Sequence, residues 1–250
     1  MIDPQQRRLA AAALAVAGEH GFALAGGLAL AAHGVGARPS DDIELFTSNA
    51  DPEAFATAVD AVHHALQSNG WPTEQHRRGP QYARLVVELT PGQHYELDLA
   101  VDYRTHPPVA VADIGPVLDV ADAVGSKMTA LYARGEARDY VDVRETVLSG
   151  RYTREQVLDL ADQREVRPLD RSLLAGRLRQ AARLQEADLA PYLATEDAAQ
   201  LRRWFTAWSD DLDARSAGPE RTFAPGWLTD PSRPGPDASH PDTSDLGPAL

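Results

Sequence analysis

Asp42 and Glu44 stand one residue apart in Asp42-Ile43-Glu44-Leu45-Phe46, with apolar residues at the alternate positions. In a strand, side chains at i and i+2 share a face. That aims two carboxylates at one place and turns Ile43 and Leu45 into a core. Two carboxylates this close repel, and burying them unpaired is costly, so the pair calls for a cation. Hard oxygen donors of this kind suit Mg²⁺. Upstream, the apolar run Phe22 to Ala25 breaks at Gly26-Gly27. Glycines let the backbone pass close to a ligand, and amides at the start of a following helix would face phosphate. The combination reads as a nucleoside triphosphate site.

A third carboxylate is needed, and the stretch 95–102 supplies Asp98. Glu96, Asp98 and Asp102 share the polar face of this alternating segment, with Leu97 and Leu99 flanking Asp98. Neighbouring strands lie about 4.8 Å apart, and two-metal sites hold their ions about 3.5–4 Å apart. Asp42, Glu44 and Asp98 on adjacent strands would thus bracket two Mg²⁺ ions. The plainer reading is a set of solvated acids on an outer sheet face.

Lys127 is the only lysine; the other 23 of the 24 basic residues are arginine. The two cations are not interchangeable, so one compact ammonium kept in such a chain marks a specific task. The alternative is a lone lysine on a solvated helix face.

Helices, strands and turns must position these groups. Asp3-Pro4 caps a helix over 4–20 that Gly21 stops, followed by a strand at 22–25 and a short helix to about His33. A strand covers 42–47. Asp51-Pro52 opens a helix whose Phe55, Val59, Val62 and Leu66 form one stripe, closed by Gly70. Residues 83–90 and 95–102 alternate as an antiparallel pair around Pro91-Gly92. From about residue 118 the period is helical. Thr153 and Thr195 cap later helices, and Trp204, Phe205, Trp208 and Leu212 form a core stripe. Six arginines between 164 and 183 make the most basic stretch. Seven prolines between Pro219 and Pro248 mark 216–250 as a flexible tail with too little apolar surface to fold.

The chain has 250 residues, a formal charge of −13 and no cysteine. That balance argues against indiscriminate coating of nucleic acid, and DNA in particular, because such binding runs on phosphate neutralisation. No disulfide or thiolate chemistry is available. No run approaches the roughly 20 apolar residues of a membrane span, so a soluble cytoplasmic protein is expected.

Two segments together carry a resemblance. Ala25-Gly26-Gly27 with Arg38-Pro39-Ser40-Asp41-Asp42-Ile43-Glu44, and Lys127-Met128-Thr129-Ala130-Leu131-Tyr132-Ala133-Arg134 with Arg138-Asp139-Tyr140-Val141-Asp142, resemble the AbiEii/AbiGii-type nucleotidyltransferases. These belong to the polymerase-β-like superfamily and include the MenT toxins. The resemblance covers about residues 20–150 and implies an α+β fold, a mixed sheet flanked by helices. The chain is expected to divide into a nucleotidyltransferase core at 1–106, a helical region at 107–215, and the tail.

It also implies roles. Asp42, Glu44 and Asp98 would bind metal. Lys127 would grip the triphosphate, and Gly26, Gly27, Arg38, Ser40 and Asp142 would contact nucleotide, with Asp139 the alternative to Asp142. Leu28, where a hydroxyl residue is common, and Glu44, where Asp is commoner, depart from the pattern.

The reaction implied is Mg²⁺-dependent transfer of an NMP from an NTP to an acceptor hydroxyl. RNA, such as a tRNA 3′ end, is the first acceptor, with a toxin–antitoxin role and a cognate antitoxin as partner. The arginines of 164–183 would line its groove, against the plainer reading of a solvated helix face. A cationic small molecule of antibiotic type is the second acceptor, suited to an acidic protein. An inactive nucleotide-binding module is the third reading.

Overall fold

A computed structural model of the chain describes residues 2–36 and 38–216, the last as a backbone position only. The proline-rich tail expected at 216–250 lies outside the described residues from 217 onward.

Helix α1 (Pro4–Ala17) starts where Asp3 accepts the amides of Gln5 and Gln6 at 2.9 and 3.1 Å. Its last turn tightens into a 3₁₀ turn, Gly18–His20, and Gly21 at φ 80° ends it. Strand β1 (Ala23–Leu24), helix α2 (Gly26–Ala32) and strand β2 (Asp42–Thr47) follow. Asp51 caps helix α3 (Pro52–Ser68) through the amide of Glu53 at 2.9 Å. Strands β3 (Thr73–Arg78), β4 (Tyr82–Thr90), β5 (Gln93–Val101), β6 (Val109–Val111) and β7 (Gly115–Val117) complete one seven-stranded sheet in the order β3-β4-β5-β2-β1-β7-β6. β2 runs parallel to β5, and β1 parallel to β7; the other pairs are antiparallel. The fold is thus the expected α+β mixed sheet with flanking helices.

One sheet face is the core. Ile43, Leu45, Ala83, Leu85, Val87, Leu97 and Leu99 are fully buried, as are Val59, Val62 and Leu66 of α3. On β3, Arg78 reaches α3 and pairs with Asp60, which fixes the helix-covered side of that strand. The residues between the apolar ones, Asp42, Glu44, Tyr82, Arg84 and Asp98, therefore turn to the opposite face.

Three strands escape the sequence reading. β3, Thr-Glu-Gln-His-Arg-Arg, is an edge strand almost wholly exposed, so it has no apolar alternation to read. β6 and β7 are three residues each, too short for a period. They lie in 109–117, beyond the expected core boundary at 106, yet they extend the sheet through β1.

The later helices are α4 (Val120–Ala133), α5 (Ala137–Leu148), α6 (Arg154–Asp162), α7 (Arg171–Arg179), α8 (Glu186–Leu189) and α9 (Thr195–Ser216). Thr153 caps α6 through the amide of Gln156 at 3.2 Å. Thr195 is the first residue of α9 rather than its cap, since the Ala194 carbonyl accepts the first helical amides. The aromatic stripe is core: Phe205 is fully buried and meets Tyr140 of α5 edge-on, centroids 4.9 Å apart. Tyr140 donates to the Arg177 carbonyl at 2.6 Å, and burial pushes its pKa up to about 12.

Candidate active site

Glu44 lies against the start of α2. A Cβ on Gly26 would overlap Glu44 Oε2 and sit 2.6 Å from its Cδ, so only glycine fits there. Gly26 also has φ 61°, a conformation that side chains resist. A Cβ on Gly27 would come within 2.8 Å of Arg38 Nη2 and 3.3 Å of Ser40 Oγ. The glycine pair makes room for the chain's own Glu44, Arg38 and Ser40. Leu28, the departure from the hydroxyl position, is buried in the core.

Asp42 accepts Arg138 Nη1 at 3.1 Å, and Arg138 also holds Glu136 at 2.9 Å. Glu44 is half-buried and has no ion-pair partner among the described residues. Burial pushes its carboxyl above the ordinary value, against the pull of Lys127, and Asp42 adds to the upward shift.

Lys127 is only 5% exposed, which removes the surface-lysine reading. Its Nζ stands 3.0 Å from Asp142 Oδ2 and 3.3 Å from Asp139 Oδ1. Burial works against its charge, and Asp142, Asp139 and Glu44 outweigh it, leaving Lys127 above its usual range. Asp142 is simultaneously clasped by Arg38 through Nε at 2.7 Å and Nη2 at 2.8 Å. Asp139 is fully buried and takes Arg134 through two bonds, 2.9 and 3.1 Å, plus the Glu136 amide. Burial raises the Asp139 carboxyl, but Arg134 and Lys127 hold it below its ordinary value overall. Asp142 and Asp139 thus share Lys127.

The network joins Asp42, Glu136, Asp139 and Asp142 to Arg38, Lys127, Arg134 and Arg138, and Glu44 lies within its field. Five carboxylates face four cations, and Glu44 is the one without a direct partner. Asp42 and Glu44 together therefore fit a hard divalent cation.

Asp98 departs from expectation at the level of its side chain. It neighbours Glu44 in register. Its carboxylate, however, is clasped by Arg84 Nε and Nη2, both at 2.7 Å, and by the Tyr82 hydroxyl at 3.0 Å. Among the described residues no group of three acids or histidines is arranged to hold a metal. The three acids share a surface without converging, because Arg84 is long enough to satisfy Asp98 across the hairpin. The β4–β5 pairing places Arg84 opposite Asp98 only because the register shifts between Glu88 and Thr90; counting back from Pro91-Gly92 without that shift puts Arg84 opposite Leu99.

The basic stretch is mostly committed to structure. Arg164 binds Asp102 and Asp122, Arg171 binds Asp162, Arg177 binds the carbonyls of Tyr132 and Ala133, and Arg179 pairs with Asp213. Each of these four arginines therefore has a partner within the chain. A residue that sequence missed is Tyr192, between α8 and α9. Its hydroxyl donates to Asp41 at 2.6 Å and its ring lies 5.1 Å from the Arg38 guanidinium carbon. No local pattern announces it.

A family model described as nucleotidyl transferase AbiEii toxin, type IV TA system, matches residues 7–227. The chain belongs to that family. As an AbiEii family member it is a nucleotidyltransferase, of a family named for toxin–antitoxin systems. MenT4, a nucleotidyltransferase toxin from Mycobacterium tuberculosis H37Rv, shares the fold at a TM-score of 0.54 and 18% identity, over 84% of this chain and 85% of that one. JHP933 from Helicobacter pylori is similar at 0.49 and 17%, over 86% and 97%. No curated protein sequence matches the chain. Among the described residues of this AbiEii protein, no helix is long and apolar enough to cross a membrane.

Proposed function

We propose that this AbiEii-family nucleotidyltransferase moves an NMP from an NTP to a hydroxyl at the 3′ end of an RNA, with Mg²⁺, and that a cognate antitoxin restrains it. The observation that supports the reading is the chain's only lysine, sealed between Asp139 and Asp142 and adjacent in charge to the unpaired Glu44. A buried ammonium held by two acids is oriented and permanently charged, as a grip on the β and γ phosphates requires.

Asp42 and Glu44 are the residues that would hold Mg²⁺, with Asp98 available once Arg84 lets go. The metal supplies Lewis-acid neutralisation of charge on the phosphates. In the reaction the acceptor oxygen bonds to the α-phosphorus, the bond from that phosphorus to the bridging oxygen breaks, and pyrophosphate leaves. Asp98 is the carboxylate beside the acceptor that takes the hydroxyl proton. Arg38 and Ser40 at Gly27, and Asp142 behind Lys127, keep the phosphate-binding groups in place. Arg138, on Asp42 at 3.1 Å, is a further cation that would face phosphate in the same site.

One observation favours a second reading. A cleft of a few hundred cubic ångströms beside Arg138 is lined by Asp41, Glu136, Asp188 and Tyr192, an acidic and aromatic surface suited to a cationic small acceptor. Incubation with each α-labelled NTP, with total RNA or with an aminoglycoside, with and without Mg²⁺, separates them. Label in RNA that vanishes without Mg²⁺ is expected; label only in the small molecule would replace the first reading by the second.

A further inference from the structure

The strand registers place Arg77, Arg84, Asp98 and Glu44 in one row across β3, β4, β5 and β2. The row starts at the sheet edge and ends at the acid pair, roughly 14 Å away at three strand spacings. Arg78 and Ala83, the next pair, point to the α3 side, so Arg77 and Arg84 share the face of the acids.

The two arginines are directly opposite each other. Like charges so placed are destabilising unless something anionic relieves them. Arg84 is relieved by Asp98 and by Glu96 at 2.6 Å. The Arg77 side chain is exposed and makes no hydrogen bond or ion pair among the described residues. Two residues along β4, the half-exposed ring of Tyr82 lies on the same face. A free guanidinium, a second one beside it and an aromatic ring form the combination that tracks single-stranded nucleic acid, charges on phosphate and ring on base.

We propose that Arg77, Arg84 and Tyr82 form the receiving site for the acceptor strand, Arg77 binding a backbone phosphate of single-stranded RNA just upstream of its reacting 3′ end. This rests on RNA being the acceptor. Arg84 has a second consequence. A phosphate arriving beside it competes with Asp98 for the same guanidinium, so acceptor binding releases Asp98 toward the acid pair. The enzyme then holds its third carboxylate back until an acceptor strand is seated.

The test uses the full chain and a fluorescent RNA hairpin with a single-stranded 3′ overhang, with binding read by anisotropy over a salt series without NTP. Arg77→Glu is expected to weaken RNA binding at least about tenfold and to lower the salt slope by about one. Its NTP affinity should stay at the wild-type value. Arg167→Glu, also exposed and unpaired but outside the row, should bind RNA like wild type. If wild type binds and labels RNA and Arg77→Glu does both equally well, the receiving site is overturned while the RNA reading stands. Absence of any salt-dependent RNA binding or labelling by wild type would overturn both.

Discussion

Glu44 occupies the space that a side chain on Gly26 would need, its Cδ 2.6 Å from where the Cβ would be. The glycine and the acid are therefore one unit. Gly26→Ala must push Glu44 aside and hold a left-handed φ of 61°, the latter alone costing about 1–2 kcal/mol. We expect at least a hundredfold loss of nucleotidyl transfer together with a lower Tm. Gly34→Ala is the control: its φ of 70° is equally strained, but nothing lies within 4 Å of its would-be Cβ. It should lose similar backbone energy and keep its rate. Equal losses of rate in both would show that strain, not Glu44, matters.

Asp42→Asn removes a charge without removing volume. Its partner Arg138 retains Glu136, so the fold should melt within a few degrees of wild type. Transfer should fall below detection, and Mg²⁺ should no longer raise the Tm of the protein. Full activity in Mg²⁺ would remove Asp42 from the metal site.

Asp139 gives a pH signature. Its carboxyl is held below the ordinary value, so it adds stability above the unfolded carboxylate pKa of about 3.9. That stability is lost as pH falls through the folded value. Replacing one member of a buried ion network typically costs on the order of 3 kcal/mol. Asp139→Asn should thus be clearly less stable than wild type at pH 7. The gap should close as the pH drops below about 4. A gap independent of pH would mean that the asparagine harms packing rather than charge pairing.

The parts legible in the sequence were those with a local signature. Asp3-Pro4 and Asp51-Pro52 mark helix starts because cap and proline act within one turn. Asp42 and Glu44 could be placed on one face because strand period is local. Asp98's clasp by Arg84 is a cross-strand fact, settled only by the hairpin register. Tyr192 is farther from reach: 151 residues separate it from the Asp41 it bonds, and only the packing of α8 and α9 brings it there. β3 was invisible because every side chain after Thr73 is exposed and the strand is held by its ladder to β4, and charged edge strands leave no apolar period.

Lys127 is where sequence and structure alter the same prediction. On a solvated helix, Lys→Arg is nearly neutral, within about 0.5 kcal/mol. Lys127 instead fills a closed space between Asp139 and Asp142, whose remaining oxygens are already taken by Arg134 and Arg38. A guanidinium there is larger than the ammonium and would compete with two arginines for the same carboxylates. Overpacking of this kind costs about 1–3 kcal/mol. A shift of about 1 Å in a phosphate-positioning group costs roughly a hundredfold in rate. Lys127→Arg is therefore expected to lower the Tm by several degrees and transfer by at least tenfold. Lys127→Met separates the two effects, since it keeps the length and leaves Asp139 and Asp142 with their arginines. It should stay folded, with a weakened NTP affinity measured by equilibrium binding. Wild-type NTP affinity in a folded Lys127→Met protein would return Lys127 to a purely structural role.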